Sequence, residues 1–371
     1  MKVGIDNIRR ASKLLKGKKV GLVANPASVD SNGVHTSVLL RKWCKIVMYF
    51  SLEHGFNGKA AAGAAVEDEM IDDIPVYSLY DGKGSVLPRN IDSLIDVLVY
   101  DVQDLSLRFY TYISSLKAIV EASQKHNFTL IILDRPSPFG RRVMGSPLTN
   151  PYFSFVGCDA LPIVYSLTPA ELSLFFLRDY SGKSPVIIPL SNWQSKSYEK
   201  LNRPFIPTSP NIKNYETAFV YAGTCFLEGT NISEGRGTNE PFLTIGAPFI
   251  DSHLLIESLK DFKDLEFTPT SFTPKESKWK GELCHGIKIK VNSYRARPVD
   301  FGLILLNRIF TLFPEAKFLA PSEGSNIAFI DRLLGEGGKE GVLADCEGLI
   351  KKWKIDASAF KAYIKQYYIY R

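Results

Sequence analysis

The chain has 371 residues, 45% of them apolar and 23% charged, which excludes a disordered protein and predicts a packed one with two domains. Its net charge of +6 is scattered, without a long basic run, so it reads as solvated surface with a mild preference for anions and not as a nucleic-acid face. Cys44, Cys158, Cys225, Cys284 and Cys346 show no zinc or redox spacing, and no segment reads as a signal peptide or membrane span; a cytoplasmic protein with reduced thiols is expected.

Along the first half, continuous Val/Ile/Leu-rich runs at 19–24, 45–50, 96–102 and 128–133 predict parallel strands covered on both faces. Between the last two, Ile113, Leu116, Ile119 and Val120 form one stripe of a helix over 112–126. The alternation predicts an α/β fold with an open sheet of βαβ units over residues 1–190. A stretch rich in Pro, Ser and Asn over 185–215 marks the expected junction. A smaller C-terminal domain over 191–371 is then expected, with helices near 251–260, 300–312, 325–334, 343–352 and 357–367 and a strand near 286–291.

Polar residues follow each predicted strand: Asn25 after the first, Glu53 and His54 after the second, Gln103, Asp104 and Arg108 after the third, Asp134 and Arg135 after the fourth. Open α/β sheets bind ligands at such carboxyl ends. Asp, Asn and Pro also end strands and cap helices, which accounts for Asn25 and Asp134; Glu, His, Gln and Arg are not turn formers. A second polar loop, GTCFLEGTNISEGRGTNEPF at 223–242, places Glu228, Asn231, Glu234 and Arg236 among glycines that admit close ligand approach. The two loops suggest one cleft lined from both halves.

Several mechanisms are absent from the sequence: there is no GxGxxG fingerprint, no complete phosphate loop, no HExxH and no GxSxG elbow. Carboxylates remain. Glu53, next to glycines and among Phe50, Phe56 and the 109–112 aromatic segment, has the surroundings a general acid uses, or else it is a helix-start or ion-paired carboxylate. Glu228 and Glu234 can do chemistry or fix their loop, with Arg236 as their partner. His54 with Glu53, Asp101 and Asp104 could ligate a metal, but no histidines stand at paired ligand spacing, so no metal or cofactor is expected. Tyr110, Tyr112 and Phe56 can form a sugar platform or core.

Five collinear motifs, SLEHGFNG, DVQDLSLRFYTYISS, LDRPSPFG, TSPNI and LEGTNISEGRGTNEPF, resemble the exo-β-N-acetylmuramidase family, long listed as a domain of unknown function. The resemblance implies a Rossmann-like N-terminal domain, a smaller C-terminal domain and an active cleft between them. It implies a glycosidase that releases terminal N-acetylmuramic acid from the non-reducing end of peptidoglycan fragments, with Glu53 of the EHG motif as the leading catalytic residue. Glu228 and Glu234 are the candidates for a second carboxyl. Substrate contacts are expected from His54, Gln103, Asp104, Arg108, Tyr110, Tyr112, Asp134, Arg135, Asn211, Asn231 and Arg236. Leu52, Asn57, Ser106 and Ser137 stand where relatives usually have Pro, Arg, Gly and Asn. With Asn57 in place of arginine, the lactyl carboxylate is expected to fall to Arg236 or Arg108. A non-catalytic amino-sugar binder and a metal-dependent phosphate or nucleotide hydrolase are the rival readings.

Overall fold

A computed structural model describes residues 1–53, 55–56, 69–80 and 87–370. The chain forms two compact units: Met1–Arg142 with Ser166–Pro210 and Tyr363–Arg371, and Val143–Tyr165 with Asn211–Ala362. Where the sequence reading draws one boundary after residue 190, the chain thus changes unit repeatedly. A strand from the expected junction, Val186–Ile188, joins the first sheet, and Tyr370 returns to bond Asp134 and the Leu190 amide.

The first unit is built on a seven-stranded sheet. Its strands are β1 (Lys19–Ala24), β2 (Lys45–Ser51), β3 (Glu69–Ile71), β4 (Ile74–Ser78), β5 (Val97–Asp101), β6 (Thr129–Leu133) and β7 (Val186–Ile188). They lie in the order β3-β4-β2-β1-β5-β6-β7, parallel except for β3 against β4. The apolar runs read from the sequence are the central strands, and every residue of β5 is buried, as two-sided cover demands. The predicted helix is present at Tyr112–Lys125, with Ile113, Leu116, Ile119 and Val120 buried. Connections run one way from β1 to β2 and the other way to β5, so the strand order reverses between β1 and β5, where Ala24 faces Asp101. That reversal is the place where open α/β sheets hold ligands.

The second unit carries a three-stranded antiparallel sheet: β8 (Thr244–Ala247), β9 (Leu265–Phe272) and β10 (Cys284–Val291), in the order β8-β10-β9. On β10, Ile287 and Ile289 are buried while Lys288 and Lys290 are exposed, the alternation of a sheet covered on one face. Helices Tyr215–Thr224 and Pro298–Leu312 cross so closely that a Cβ on Gly223 would sit 2.0 Å from the Pro298 carbonyl oxygen, so only glycine fits there. The segments read as two helices at 343–352 and 357–367 are one continuous helix, Cys346–Ile364; the 70% exposed Ile355 interrupts the apolar stripe without interrupting the helix.

Candidate active site

At the strand reversal in the first unit, the chain fills its own crevice. Arg135 donates from Nε and Nη2 to the two oxygens of Asp101 at 2.5 and 2.8 Å, and from Nη1 to the carbonyls of Ala27 and Val29 at 3.1 and 2.9 Å. Both side chains are essentially inaccessible, at 1% and 0% exposure. Thr36 donates to the same carboxylate, and Ser28 to the Asp101 carbonyl. Asn25 donates to the Gln103 carbonyl at 3.0 Å, and the Gln103 amide donates to the carbonyls of Asp104 and Pro136 at 2.8 and 3.0 Å. Asp134 is closed in the same way. It accepts from the amides of Arg135 and Ala170 and from the hydroxyls of Thr168 and Tyr370, all within 2.6–2.9 Å. Burial pushes its carboxyl up to about 7, against the pull of those donors. Asp134 and Arg135, expected at a ligand, hold the first unit together instead in this structure.

Glu53 follows β2 directly, in the turn closed by the Gly55 amide on the Leu52 carbonyl at 2.9 Å, and it is 9% exposed. Thr111 stands at the cap position of the helix Tyr112–Lys125, but makes no side-chain cap; its hydroxyl donates to Glu53 Oε2 instead. Thr111 has helical dihedrals, so its hydroxyl is free of capping and orients one carboxyl. Beside it, Tyr112 donates to the Thr208 carbonyl at 2.6 Å and Tyr110 to the Thr208 hydroxyl at 2.8 Å, with the two rings edge to face at 4.7 Å. Burial, with Tyr110 and Glu53 alongside, pushes the Tyr112 phenol well up. These rings and Phe56, which packs on Tyr49 at 4.7 Å, are interior surface and not an open sugar platform. Arg108 is fully buried and Asp104 nearly so, with Asp104 Oδ1 accepting from the Leu105 amide at 2.6 Å. His54 and Asn57 lie outside the described residues.

In the second unit, the 3-10 turn Cys225–Gly229 carries Glu228, and the loop that follows carries Glu234 and Arg236. Arg236 bridges the pair, Nη2 to Glu228 and Nε to Glu234, both at 3.2 Å, and lies over the Phe242 ring at 5.2 Å. Lys278 grips Glu234 from the other side at 2.7 Å. Glu234 is 2% exposed between two cations, whereas the Glu228 side chain keeps 20% exposure. Burial raises the Glu228 carboxyl, opposed by Arg236 and reinforced by Glu234. Burial alone would lower Arg236, but the two carboxylates more than offset it and the guanidinium is held more firmly protonated than usual. The cluster therefore has one carboxylate enclosed between two cations and one, raised by burial, that keeps an exposed edge. Asn231 is engaged elsewhere, donating to the Glu315 carbonyl and accepting from the Lys317 amide, both at 2.9 Å. Asn211 is half-buried, ahead of the helix Tyr215–Thr224.

The sequence reading missed Thr111 and Lys278, because neither a lone threonine nor a lysine in a charged stretch carries a local signal. Among the described residues, no cluster of three His, Cys, Asp or Glu side chains is placed to hold a metal, and both Asp101 oxygens already face Arg135. Burial pushes the Cys44, Cys284 and Cys346 thiols up to about 11, toward the protonated form. A cavity of about 440 Å³ lined by Asp251, His253, Thr270, Ser271 and His285 shares no residue with either carboxylate group. Among the described residues, no helix is long and apolar enough to cross a membrane.

Comparison with known proteins matches the chain to two family descriptions, "Exo-beta-N-acetylmuramidase NamZ, N-terminal" over residues 20–216 and "Exo-beta-N-acetylmuramidase NamZ, C-terminal" over residues 219–370. The peptidoglycan beta-N-acetylmuramidase NamZ of Bacillus subtilis (strain 168) is 35% identical, across 100% of this chain and 91% of that protein. Two crystal structures of DUF1343 family proteins from Bacteroides fragilis share the fold over 100% of this chain and 99% of theirs. Their TM-scores are 0.86 and 0.75, at 27% and 25% identity.

Proposed function

Because the chain belongs to the exo-β-N-acetylmuramidase NamZ family, we propose that it is a glycosidase acting on peptidoglycan-derived sugars, releasing N-acetylmuramic acid from their non-reducing ends. The observation that carries the reading is Glu53: a nearly buried carboxyl directly after a central strand, oriented by the hydroxyl of Thr111 at the start of the next helix. Glu53 is the general acid that protonates the leaving oxygen of the glycosidic bond, and the base when water returns. Glu228, partly exposed and with its carboxyl raised by burial, is the candidate for a second carboxyl; Glu234 is gripped by Arg236 and Lys278.

Muramic acid differs from N-acetylglucosamine by a lactyl acid, which a fixed guanidinium recognises with two parallel donors. Of the two arginines expected there, Arg108 is wholly buried, whereas the Arg236 side chain keeps 17% exposure, which favours Arg236. Five widely separated cysteines without zinc or redox spacing are what a reducing compartment allows, and a role in recycling imported fragments fits that setting.

Hydrolysis of paired chromogenic glycosides tests this reading. The wild type is expected to prefer the muramic substrate, and Arg236→Ala to narrow that preference by about 1.5–3 kcal/mol, mainly through KM. Equal rates on both glycosides in the wild type would remove the muramidase assignment and leave only a glycosidase.

A further inference from the structure

The connection between β9 and β10, residues 273–283, reaches the Glu228 loop at several points. Lys278 Nζ donates to the carbonyls of Leu227 and Thr230 at 2.7 and 3.0 Å, one on each side of Glu228, and pairs with Glu234 at 2.7 Å. Its ammonium is thereby held by two carbonyl acceptors and one ion-paired carboxylate. Next to it, Trp279 Nε1 donates to the Asn231 carbonyl at 2.5 Å, and the Lys275 amide donates to the Gly237 carbonyl at 3.2 Å. A Cβ on Gly237, which has φ 77°, would meet the Glu276 and Lys275 amide nitrogens at 2.5 and 2.7 Å, so the two segments lie in direct backbone contact.

Holding Lys278 there costs backbone strain. Ser277 and Trp279, on either side of it, both adopt the left-handed region, with φ of 64° and 58°. Side chains other than glycine enter that region when the surroundings force them, and such outliers gather at functional sites. The lysine is also unusual in its direction: it points inward, with 18% of its side chain exposed, although lysines normally extend into water.

We infer that Lys278 is a positioning residue for the reaction: through the 273–283 connection it clamps the turn that carries Glu228 and fixes that carboxyl relative to Glu234 and Arg236. The inference rests on the reading that Glu228 takes part in hydrolysis. The charged and titratable groups facing Glu228 are Arg236, Glu234 and Lys278, with Cys225 and Tyr221 beside it. Of these, Lys278 and Arg236 favour its ionised form and Glu234 opposes it. Removing the lysine charge therefore moves the Glu228-linked limb of the pH–rate profile to higher pH, a change that loosened packing alone would not produce.

The test compares kcat, KM and pH profile for Lys278→Met, Lys278→Arg, Glu228→Gln and the double variant Glu228→Gln/Lys278→Met, on the muramic glycoside. Lys278→Met is expected to lower kcat about tenfold with KM within about twofold, and to shift that limb upward. Lys278→Arg should recover most of the rate and the original limb, and the double variant should be no slower than Glu228→Gln alone. If Lys278→Met does not fold, Lys278→Gln, which keeps donors without charge, reads the same limb. Glu228→Gln slowed with Lys278→Met at wild-type rate and profile, or fully additive losses in the double variant, overturns the inference alone. Wild-type turnover in Glu228→Gln overturns the reading beneath it and the inference together.

Discussion

The Asp101–Arg135 network of the first unit and the Glu228–Arg236–Lys278 cluster of the second contain similar groups in opposite conditions. In the first, a guanidinium meets a carboxylate and two carbonyls with essentially no exposure, so four of its five donors are filled by the chain itself. In the second, one carboxylate is locked, but its neighbour Glu228 and the bridging Arg236 keep exposed edges. A saturated ion pair makes scaffold, and an unsaturated one leaves a proton and a charge available to a ligand. By that criterion the Asp101–Arg135 network holds the sheet together, while the Glu228 cluster keeps an exposed edge toward a ligand.

The largest expected effect separates stability from activity. Arg135→Met strands the buried Asp101 carboxylate and should cost about 3–5 kcal/mol in urea unfolding of the chain, with the rate per folded molecule little changed. A variant of wild-type stability that has lost turnover would mean that the strand-end network is the site, and the contrast between the two regions would collapse. Glu53→Gln is expected to show the reverse: turnover falls by at least about a hundredfold, or ~2.7 kcal/mol, while the unfolding midpoint moves little. Unchanged turnover there removes Glu53 from the mechanism.

A smaller effect follows from Asp134, whose carboxyl burial raises to about 7. A carboxyl raised in the folded state contributes stability that is complete below its ordinary value and is lost as pH rises through the raised one. Asp134→Asn keeps the shape and removes the titration. Relative to that variant, the wild type should lose roughly 1–3 kcal/mol between pH 4 and 7 and nothing further above it. Parallel stability curves for the two proteins would show that Asp134 is not strained by burial. The smallest expected effect is at Tyr112→Phe, which deletes the bond to the Thr208 carbonyl and should cost about 1 kcal/mol of stability, without the selective loss of substrate affinity that a sugar-stacking ring would show.

The central strands were legible because two-sided burial forces continuous apolar runs, and β1 begins and ends where its run does. β9 was not, because it is an edge strand with Pro269 in it and exposed alternate residues, a pattern that resembles a loop. Glu53 could be singled out from one strand and the polar residue after it. The closure of Asp134 could not: its Tyr370 partner is 236 residues away, and the tyrosine looks like any other aromatic near a chain end. Lys278 is 51 residues from the Leu227 carbonyl it holds, within a stretch whose composition reads as solvated surface. Local pattern reports burial, whereas saturation of a charge depends on distant partners.

The most direct measurement is a mass-spectrometric product profile on two defined disaccharides, MurNAc-GlcNAc and GlcNAc-MurNAc, with Glu53→Gln run beside the wild type. Cleavage of MurNAc-GlcNAc with release of free N-acetylmuramic acid, no cleavage of the reversed disaccharide, and loss of that release in Glu53→Gln are the expected result. Cleavage of the reversed disaccharide instead, or of neither one, would contradict the account.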